Sequence, residues 1–486
     1  MSSNPYELTL TSRKLTVSPE PPGLYNYLGY MHNHHNGDPE WKFASQVGNN
    51  KLHTLPGFRQ RILEWFARKG ISPTEKIVNR PPLNLNNIDL EGQRESGEIL
   101  LKGLEKQMNG IIIGPCGIGK THIIKALVEA SPTKKILITT DNVVAALQLQ
   151  KDLSDLLPRE KIGVWCSGKK TRPQAITVVT NDSLSSINKN KHFIQAGLTL
   201  QDFGMWIADE VHTLPTPSVL EQLPKITAPI RYGLTATLER KDGAHFLLEG
   251  YIGPTLSELT HNEGVELGDV TKIKVIIFPV PKIISCNPPS LEDYNWKIML
   301  KGLVHYRPLH YYIRRIAEMV PPDGGHIIFA DWVRYCNILK REIPNATILH
   351  GKVNPAHSNK VKNSLKTDAN ACVIATDIIQ KAFNAPPVKY ITMAALGSST
   401  EKIQRIGRAT RIYPGKTHAQ VHEFLHFQHP VLFQASLLAL QHYINLGWDI
   451  KIMATPESLA QLNQRHQEEL GTLIKKTCIL EPYLAK

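Results

Sequence analysis

Residues 111–121, Ile-Ile-Ile-Gly-Pro-Cys-Gly-Ile-Gly-Lys-Thr, constrain this chain more than any other stretch. Three β-branched apolar residues form a short buried strand, and a glycine-bounded loop follows. A run with helical spacing then begins at His122. Gly114, Gly119, Lys120 and Thr121 satisfy G-x-x-x-x-G-K-[ST], a loop that wraps phosphate groups. Glycine lets the loop's backbone N–H groups curl around phosphate oxygens, and the start of the helix adds its positive dipole end. In such a loop Gly114, Pro115, Cys116, Gly117, Ile118 and Gly119 form the cradle. Lys120 supplies a point charge, and the Thr121 hydroxyl is a Mg²⁺ ligand. A nucleoside triphosphate, ATP with Mg²⁺, is the expected ligand.

The fold follows from what surrounds that loop. Short apolar runs at 111–113, 136–138, 176–179, 206–208 and 232–234 alternate with helical stretches, the pattern of a doubly wound parallel sheet. A second series, at 327–330, 347–349, 373–375, 391–393 and 421–424, predicts another such domain. Ahead of both, a region to about residue 82 holds an alternating strand at 8–11, a second near 41–44 and a helix over 58–68 stopped by Gly70. The predicted fold is α/β, with two tandem doubly wound parallel-sheet domains, a small α+β N-terminal module and a helical C-terminal tail. Expected boundaries are 1–82 for the module, 83–258 and 301–428 for the two domains, 259–300 for a linker and 429–486 for the tail. Prolines 279, 281, 288 and 289 mark that segment as irregular, a linker with extra strands.

Composition narrows the function class. Lys plus Arg number 56 against 43 Asp plus Glu, a formal charge of +13 over 486 residues, which favours a polyanionic partner. The six cysteines form no C-x-x-C pair, so neither a zinc ribbon nor a disulfide framework is expected, and a reducing, cytoplasmic location is. No signal peptide or membrane-spanning run is legible, and a monomer without membrane contact is expected. The tract Met31-His32-Asn33-His34-His35 reads as a polar loop rather than a metal site, and Tyr25, Tyr27 and Tyr30 read as packing residues rather than base-stacking ones.

A second motif separates this chain from other phosphate-loop proteins. Trp206-Ile207-Ala208-Asp209-Glu210-Val211-His212 is an apolar strand ending in adjacent carboxylates. At such a position the first, Asp209, holds Mg²⁺ and the second, Glu210, polarises the attacking water. Gln404, Arg408 and Arg411 lie at spacings that a continuous helix would place on one face, and a guanidinium aimed at a transferring phosphoryl group is worth roughly 10³–10⁵ in rate.

Asp209-Glu210-Val211-His212, followed by Thr213-Leu214-Pro215, resembles motif II of superfamily-2 helicases in their XPB-type branch. Gly233-Leu234-Thr235-Ala236-Thr237-Leu238 is similar to motif III, and residues 404–411 to motif VI, Q-x-x-G-R-x-x-R. The resemblance covers roughly residues 90–425. It implies a DNA helicase or duplex translocase that couples ATP hydrolysis to 3′→5′ movement in repair, recombination or fork and R-loop processing, on duplex, forked or branched DNA or RNA–DNA hybrids. It also implies an adenine contact at Gln93, backbone contacts to nucleic acid at Thr139, Thr140, Thr180 and Thr376, and coupling of the two activities through Thr235 and Thr237. The N-terminal stretch Leu55-Pro56-Gly57-Phe58 is similar to the module preceding the motor in phage UvsW-type helicases, which implies DNA binding there.

Two departures from the family pattern stand out. Arg240-Lys241-Asp242 replaces Arg-Glu-Asp after motif III, and motif V carries Ala382-Phe383-Asn384 where Gly-x-Asp is usual. Asn384 can still hydrogen-bond a ribose, without a carboxylate's charge. The competing readings are an RNA helicase and an ATP-dependent nucleic-acid clamp with weak hydrolysis.

Overall fold

The computed structural model describes residues 5–11, 14–28, 30–31, 41–42, 44–48, 50–77, 81–88, 93–106, 109–238, 245–280, 302–376, 385–396, 399–407, 409–426 and 430–453. The chain divides into two compact units: residues 1–115 with 119–259, and residues 116–118 with 260–486.

The first unit opens with a five-stranded sheet of β1 (Glu7–Leu10), β2 (Leu15–Ser18), β3 (Ala44–Val47), β4 (Lys51–Thr54) and β5 (Thr74–Ile77), in the order β3-β4-β2-β1-β5. Its neighbours run antiparallel except β1 with β5. Helix α1 (Arg59–Ala67) turns Ile62, Trp65 and Phe66 onto Leu8, Leu15, Val17 and Leu52, so alternation in the strands and 3.6-residue spacing in the helix meet in one core. Tyr25 packs at the rim of that core and Tyr27 is exposed. Residues 32–35 of the histidine tract lie outside the described residues.

Leu55-Pro56-Gly57-Phe58 is committed to packing. A Cβ on Gly57 would lie 1.8 Å from the Glu249 carbonyl oxygen, so only glycine permits this approach of the module to the helix His245–Tyr251. The Arg61 guanidinium then forks onto the Glu249 carboxylate, at 3.0 and 2.6 Å, and covers the Phe246 ring at 4.8 Å. The module is thereby fastened to the domain that follows it.

That domain is an eight-stranded sheet. Its strands are β6 (Gly110–Ile113), β7 (Ile136–Thr140), β8 (Ile162–Cys166), β9 (Lys169–Lys170), β10 (Ile176–Thr180), β11 (Met205–Asp209), β12 (Ile230–Thr235) and β13 (Thr255–Glu258), in the order β9-β8-β10-β7-β11-β12-β6-β13. All neighbours are parallel except the β8–β9 hairpin. Buried side chains on both faces explain the near-continuous apolar runs.

The second unit is a seven-stranded, wholly parallel sheet. Its strands are β14 (Lys272–Val280), β15 (Gly325–Phe329), β16 (Thr347–Leu349), β17 (Cys372–Ala375), β18 (Val388–Met393), β19 (His418–His426) and β20 (Asp449–Ile452), ordered β16-β17-β15-β18-β19-β14-β20. Two expectations are corrected here. The segment 259–300, expected as linker with extra strands, contains β14, a nine-residue strand that is an integral part of this sheet rather than of a linker. Its register with β20 ends at Ile277, so Pro279 has a ladder neighbour on the β19 side only and its missing N–H is tolerated. The tail is not purely helical: after the helix Pro430–Asn445 the chain turns at Gly447, φ +70°, and returns as β20.

Candidate nucleotide site

The phosphate loop joins β6 to helix α2 (Lys120–Glu129) in the first domain. Gly117 and Gly119 both have φ +94°, a backbone that a side chain would strain, and successive residues of this kind turn N–H groups to one side. Gly119 is the N-cap of α2 and brings no side chain to compete for the helix's first turn, where an anion is favoured. Gly114 N–H donates to the Thr235 carbonyl at 2.9 Å, so the start of the loop is tied to the end of β12. Gln93 donates through Nε2 to the His122 carbonyl at 2.7 Å, which places it against the first turn of α2.

β11 ends in Asp209, and Glu210 follows in a left-handed conformation, φ 49° and ψ 51°. For a residue with a long side chain this is strained backbone, of the kind that clusters at functional sites. It aims Glu210 at the loop: Lys120 Nζ lies 2.9 Å from Glu210 Oε1. Asp209 is crowded. Desolvation raises its pKa to about 7, the Glu210 and Asp141 carboxylates push the same way, and Lys120 opposes them. A divalent cation fits such a site, because it would stabilise the ionised carboxylate that the present surroundings disfavour.

A hydrogen-bonded path leads from the carboxylates to β12. The Thr235 hydroxyl donates to the Thr237 carbonyl at 2.7 Å, so its oxygen accepts from His212 Nδ1, 2.9 Å away. The same His212 nitrogen lies 3.6 Å from Glu210 Oε2. The Thr237 N–H returns to Thr235 Oγ1 at 3.2 Å. Thr235 therefore touches the residue next but one to the second carboxylate, Thr237 is bonded to Thr235, and Thr235 also carries the carbonyl that holds Gly114.

Three of the four threonines expected on a nucleic-acid track are buried, which corrects that expectation for them. Thr139 is fully buried, and its hydroxyl accepts from Trp206 Nε1 at 3.0 Å. Thr140 is fully buried beside the carboxylates, 3.4 Å from Asp209 Oδ2 and 3.5 Å from Asp141 Oδ1. Thr180 is buried, with its hydroxyl 2.8 Å from that of Ser183. A strand-end hydroxyl reads in sequence as available, but here Thr139 and Thr140 meet side chains of the neighbouring β11, and Thr180 meets the turn that follows its own strand. Thr376 is partly exposed, its N–H bonded to the Leu349 carbonyl at 3.1 Å.

The second unit's motif also differs from expectation. The helix Ser399–Ile406 ends at Gly407, before Arg408 and Arg411, so Gln404 and Arg411 do not share a helical face. Arg408, with Asp377, Ala382, Asn384 and residues 240–242, lies outside the described residues. Two residues that the motif pattern leaves unassigned anchor this helix. Lys402 pairs with Glu423 at 3.0 Å, both side chains buried, and Tyr443 OH donates to the same carboxylate at 2.9 Å. Arg405, fully buried, lies 3.5 Å from Asp331, donates to the Leu396 carbonyl at 3.1 Å and sits over the Phe329 ring.

A glycine-turned phosphate cradle and a strand-end carboxylate pair on a doubly wound sheet, with a second parallel sheet further along the chain, define a protein of the RecA-like phosphate-loop class. Comparison with known proteins agrees. Residues 85–240 match the family "Type III restriction enzyme, res subunit", and residues 312–413 match "Helicase conserved C-terminal domain". The chain is 23% identical over 315 residues to "DNA 3'-5' helicase XPB" of Mycobacterium tuberculosis, covering 62% of this chain and 55% of that protein. It is 30% identical over 219 residues to "DNA 3'-5' translocase XPB2" of Sulfurisphaera tokodaii, 44% and 46% of the two chains. Among solved structures, Mycobacterium smegmatis helicase Lhr bound to ssDNA and AMP-PNP superposes with a TM-score of 0.50 at 17% identity, over 73% of this chain and 48% of that one. The chain belongs to the superfamily-2 helicases and is XPB-like. It spans about half the length of these two XPB relatives. No helix among the described residues is long and apolar enough to cross a membrane.

Proposed function

We propose that the chain is an ATP-dependent DNA helicase or duplex translocase. The observation that carries this reading is the convergence of the phosphate-loop lysine and the strand-end carboxylates, with Lys120 and Glu210 2.9 Å apart. Lys120 and the N–H groups of residues 116–119 bind the triphosphate, and Gln93 contacts the adenine. Thr121 and Asp209 hold Mg²⁺, which supplies neutralising charge on the phosphates when bound. Glu210 orients and polarises the attacking water. Arrival of a triphosphate gives Lys120 a stronger anionic partner and releases Glu210 from its ion pair, so the resting pairing keeps the base occupied until nucleotide is present. His212 then passes the altered position of Glu210 to Thr235, and so to the strand end that holds Gly114. Gln404, Arg408 and Arg411 are assigned to charge stabilisation on the transferring phosphoryl group.

Duplex, forked or branched DNA is the proposed track, with 3′→5′ polarity, by likeness to the XPB relatives. Repair, recombination or fork processing is the proposed setting, and the N-terminal module is assigned to DNA contact. The second reading, a clamp that binds ATP and nucleic acid with weak hydrolysis, is favoured only by Ala382 and Asn384 in motif V.

Strand displacement on forked duplexes with single 3′ or 5′ tails tests the proposal, with Lys120→Ala as control. ATP-dependent displacement from the 3′-tailed fork, absent in the variant, is expected. Tight binding of forks without displacement or ATP-driven movement, unchanged by restoring Ala382→Gly and Asn384→Asp, overturns it.

A further inference from the structure

The second unit carries a basic groove that the motifs do not use. It lies between the helices Arg307–Met319 and Val333–Glu342 and encloses a cavity of about 770 Å³. Arg307, Tyr311 and Arg314 follow one another at helical spacing on the first helix. Arg334, Asn337 and Arg341 do so on the second, so each helix turns one stripe into the groove. Four arginines thus face a single carboxylate, Glu342. His310 adds no charge: it is buried, its pKa is lowered by desolvation, and its Nε2 lies 2.9 Å from the Val304 carbonyl.

The arginines are not consumed by structure. Arg307, Arg334 and Arg341 are exposed. Arg314 meets Glu318 and Glu342 only at 3.7 and 3.8 Å, and its buried Nε makes no hydrogen bond among the described residues. Tyr311 is 49% exposed, with the Arg314 guanidinium 5.8 Å over its ring. An aromatic face left open to solvent between guanidinium groups is the chemistry that stacks an unpaired base while its phosphates are neutralised. Each stripe extends about 10 Å along its helix, longer than one phosphate needs.

We infer that this groove is a single-stranded nucleic-acid site separate from the motif-bearing faces, with Tyr311 stacking a base and Arg314, Arg334 and Arg341 holding successive phosphates. The inference rests on the nucleic-acid reading above for the identity of the polyanion, and the groove's geometry would also admit an acidic peptide. Stacking is what separates the two: a peptide carboxylate needs the arginines but not the open ring.

The test is fluorescence anisotropy of a labelled oligo(dT) strand across a salt series, with polyglutamate as competitor. It uses the full chain and three variants: Tyr311→Ala, Tyr311→Phe, and the Arg334→Gln/Arg341→Gln pair. Tyr311→Ala should weaken binding roughly tenfold, while Tyr311→Phe restores it. The arginine pair should lower the slope of log affinity against log salt by about 1.4, at about 0.7 for each phosphate no longer neutralised. Binding of a labelled ATP analogue without nucleic acid should not change in any variant, which also reports that the first unit is intact. Unchanged oligo(dT) affinity and salt slope in the variants overturns the groove alone and leaves the motor reading in place. Affinity insensitive to Tyr311 but competed by polyglutamate assigns the groove to acidic peptide and overturns the inference. Absence of oligo(dT) and duplex binding in the parent chain overturns both readings together.

Discussion

The edge of the first domain that bears Lys120, Asp209 and Glu210 and the polar layer inside the second unit's sheet both gather charged and titratable groups. They treat them in opposite ways. At the first edge, polar groups stand in conflict: two adjacent carboxylates, one with its pKa raised to about 7, a strained Glu210 backbone and a lysine shared between roles. In the second sheet the polar groups satisfy one another. Gln420 Nε2 donates to His422 Nε2 at 2.8 Å, which leaves His422 Nδ1–H to donate to Thr392 Oγ1 at 3.1 Å. The Thr392 hydroxyl can then donate to His326 Nε2 at 2.8 Å, and His326 Nδ1 lies 3.9 Å from Cys372 Sγ. One direction of donation runs through the chain with every ring neutral. Unresolved electrostatics mark a place prepared for a ligand; a closed network marks a place prepared for rigidity.

The largest effect that would break this contrast concerns Glu423. Glu423→Ala leaves Lys402 charged and buried and removes the acceptor of Tyr443, a loss of about 3–5 kcal/mol for a buried pair cut on one side. Urea unfolding should show that loss in the second unit's transition, with nucleotide affinity of the first unit preserved. An unchanged midpoint would mean that the network is not structural.

Less of the molecule than its motifs suggest was legible in advance, for physical reasons. The phosphate loop and the carboxylate strand could be read because phosphate chemistry demands glycine, lysine and carboxylate at fixed spacing. That β14 belongs to the second sheet was obscured by Pro279, since the sequence does not reveal that its ladder is one-sided there. β20 was hidden behind a long apolar helix. Burial of Thr139 and Thr140 depends on Trp206 and Asp209 in a neighbouring strand, and nothing local announces it. Gln404 and Arg411 were expected on one helical face because periodicity alone does not register the stop at Gly407. Arg307, Tyr311 and Arg314 do carry a helical signal, yet a basic helix face ordinarily reads as solvated surface.

The smaller effect concerns acid. Burial lowers the pKa of both His326 and His422 to about 3, well below their ordinary value. The unfolded chain therefore binds protons there first. Stability from these groups is complete above about pH 6.5 and falls as pH drops toward 3, by roughly 2 kcal/mol for each histidine at pH 5. Thermal melts between pH 7 and 5 should show a drop that His326→Gln with His422→Gln flattens, whatever the starting stability of that variant. An unaltered slope in the double variant would place the acid sensitivity elsewhere.

The measurement that bears most directly on the account is ATP turnover alone and with single-stranded DNA, duplex, forked DNA or RNA, in the parent chain and in Glu210→Gln. The account predicts turnover stimulated by DNA and reduced about 10²–10³-fold by the substitution, the scale for losing one transition-state contact. It also predicts a melting temperature no lower than the parent's, because removing the charge relieves Asp209. Turnover indifferent to every polymer, or a Glu210→Gln protein that hydrolyses ATP as fast as the parent, would contradict it.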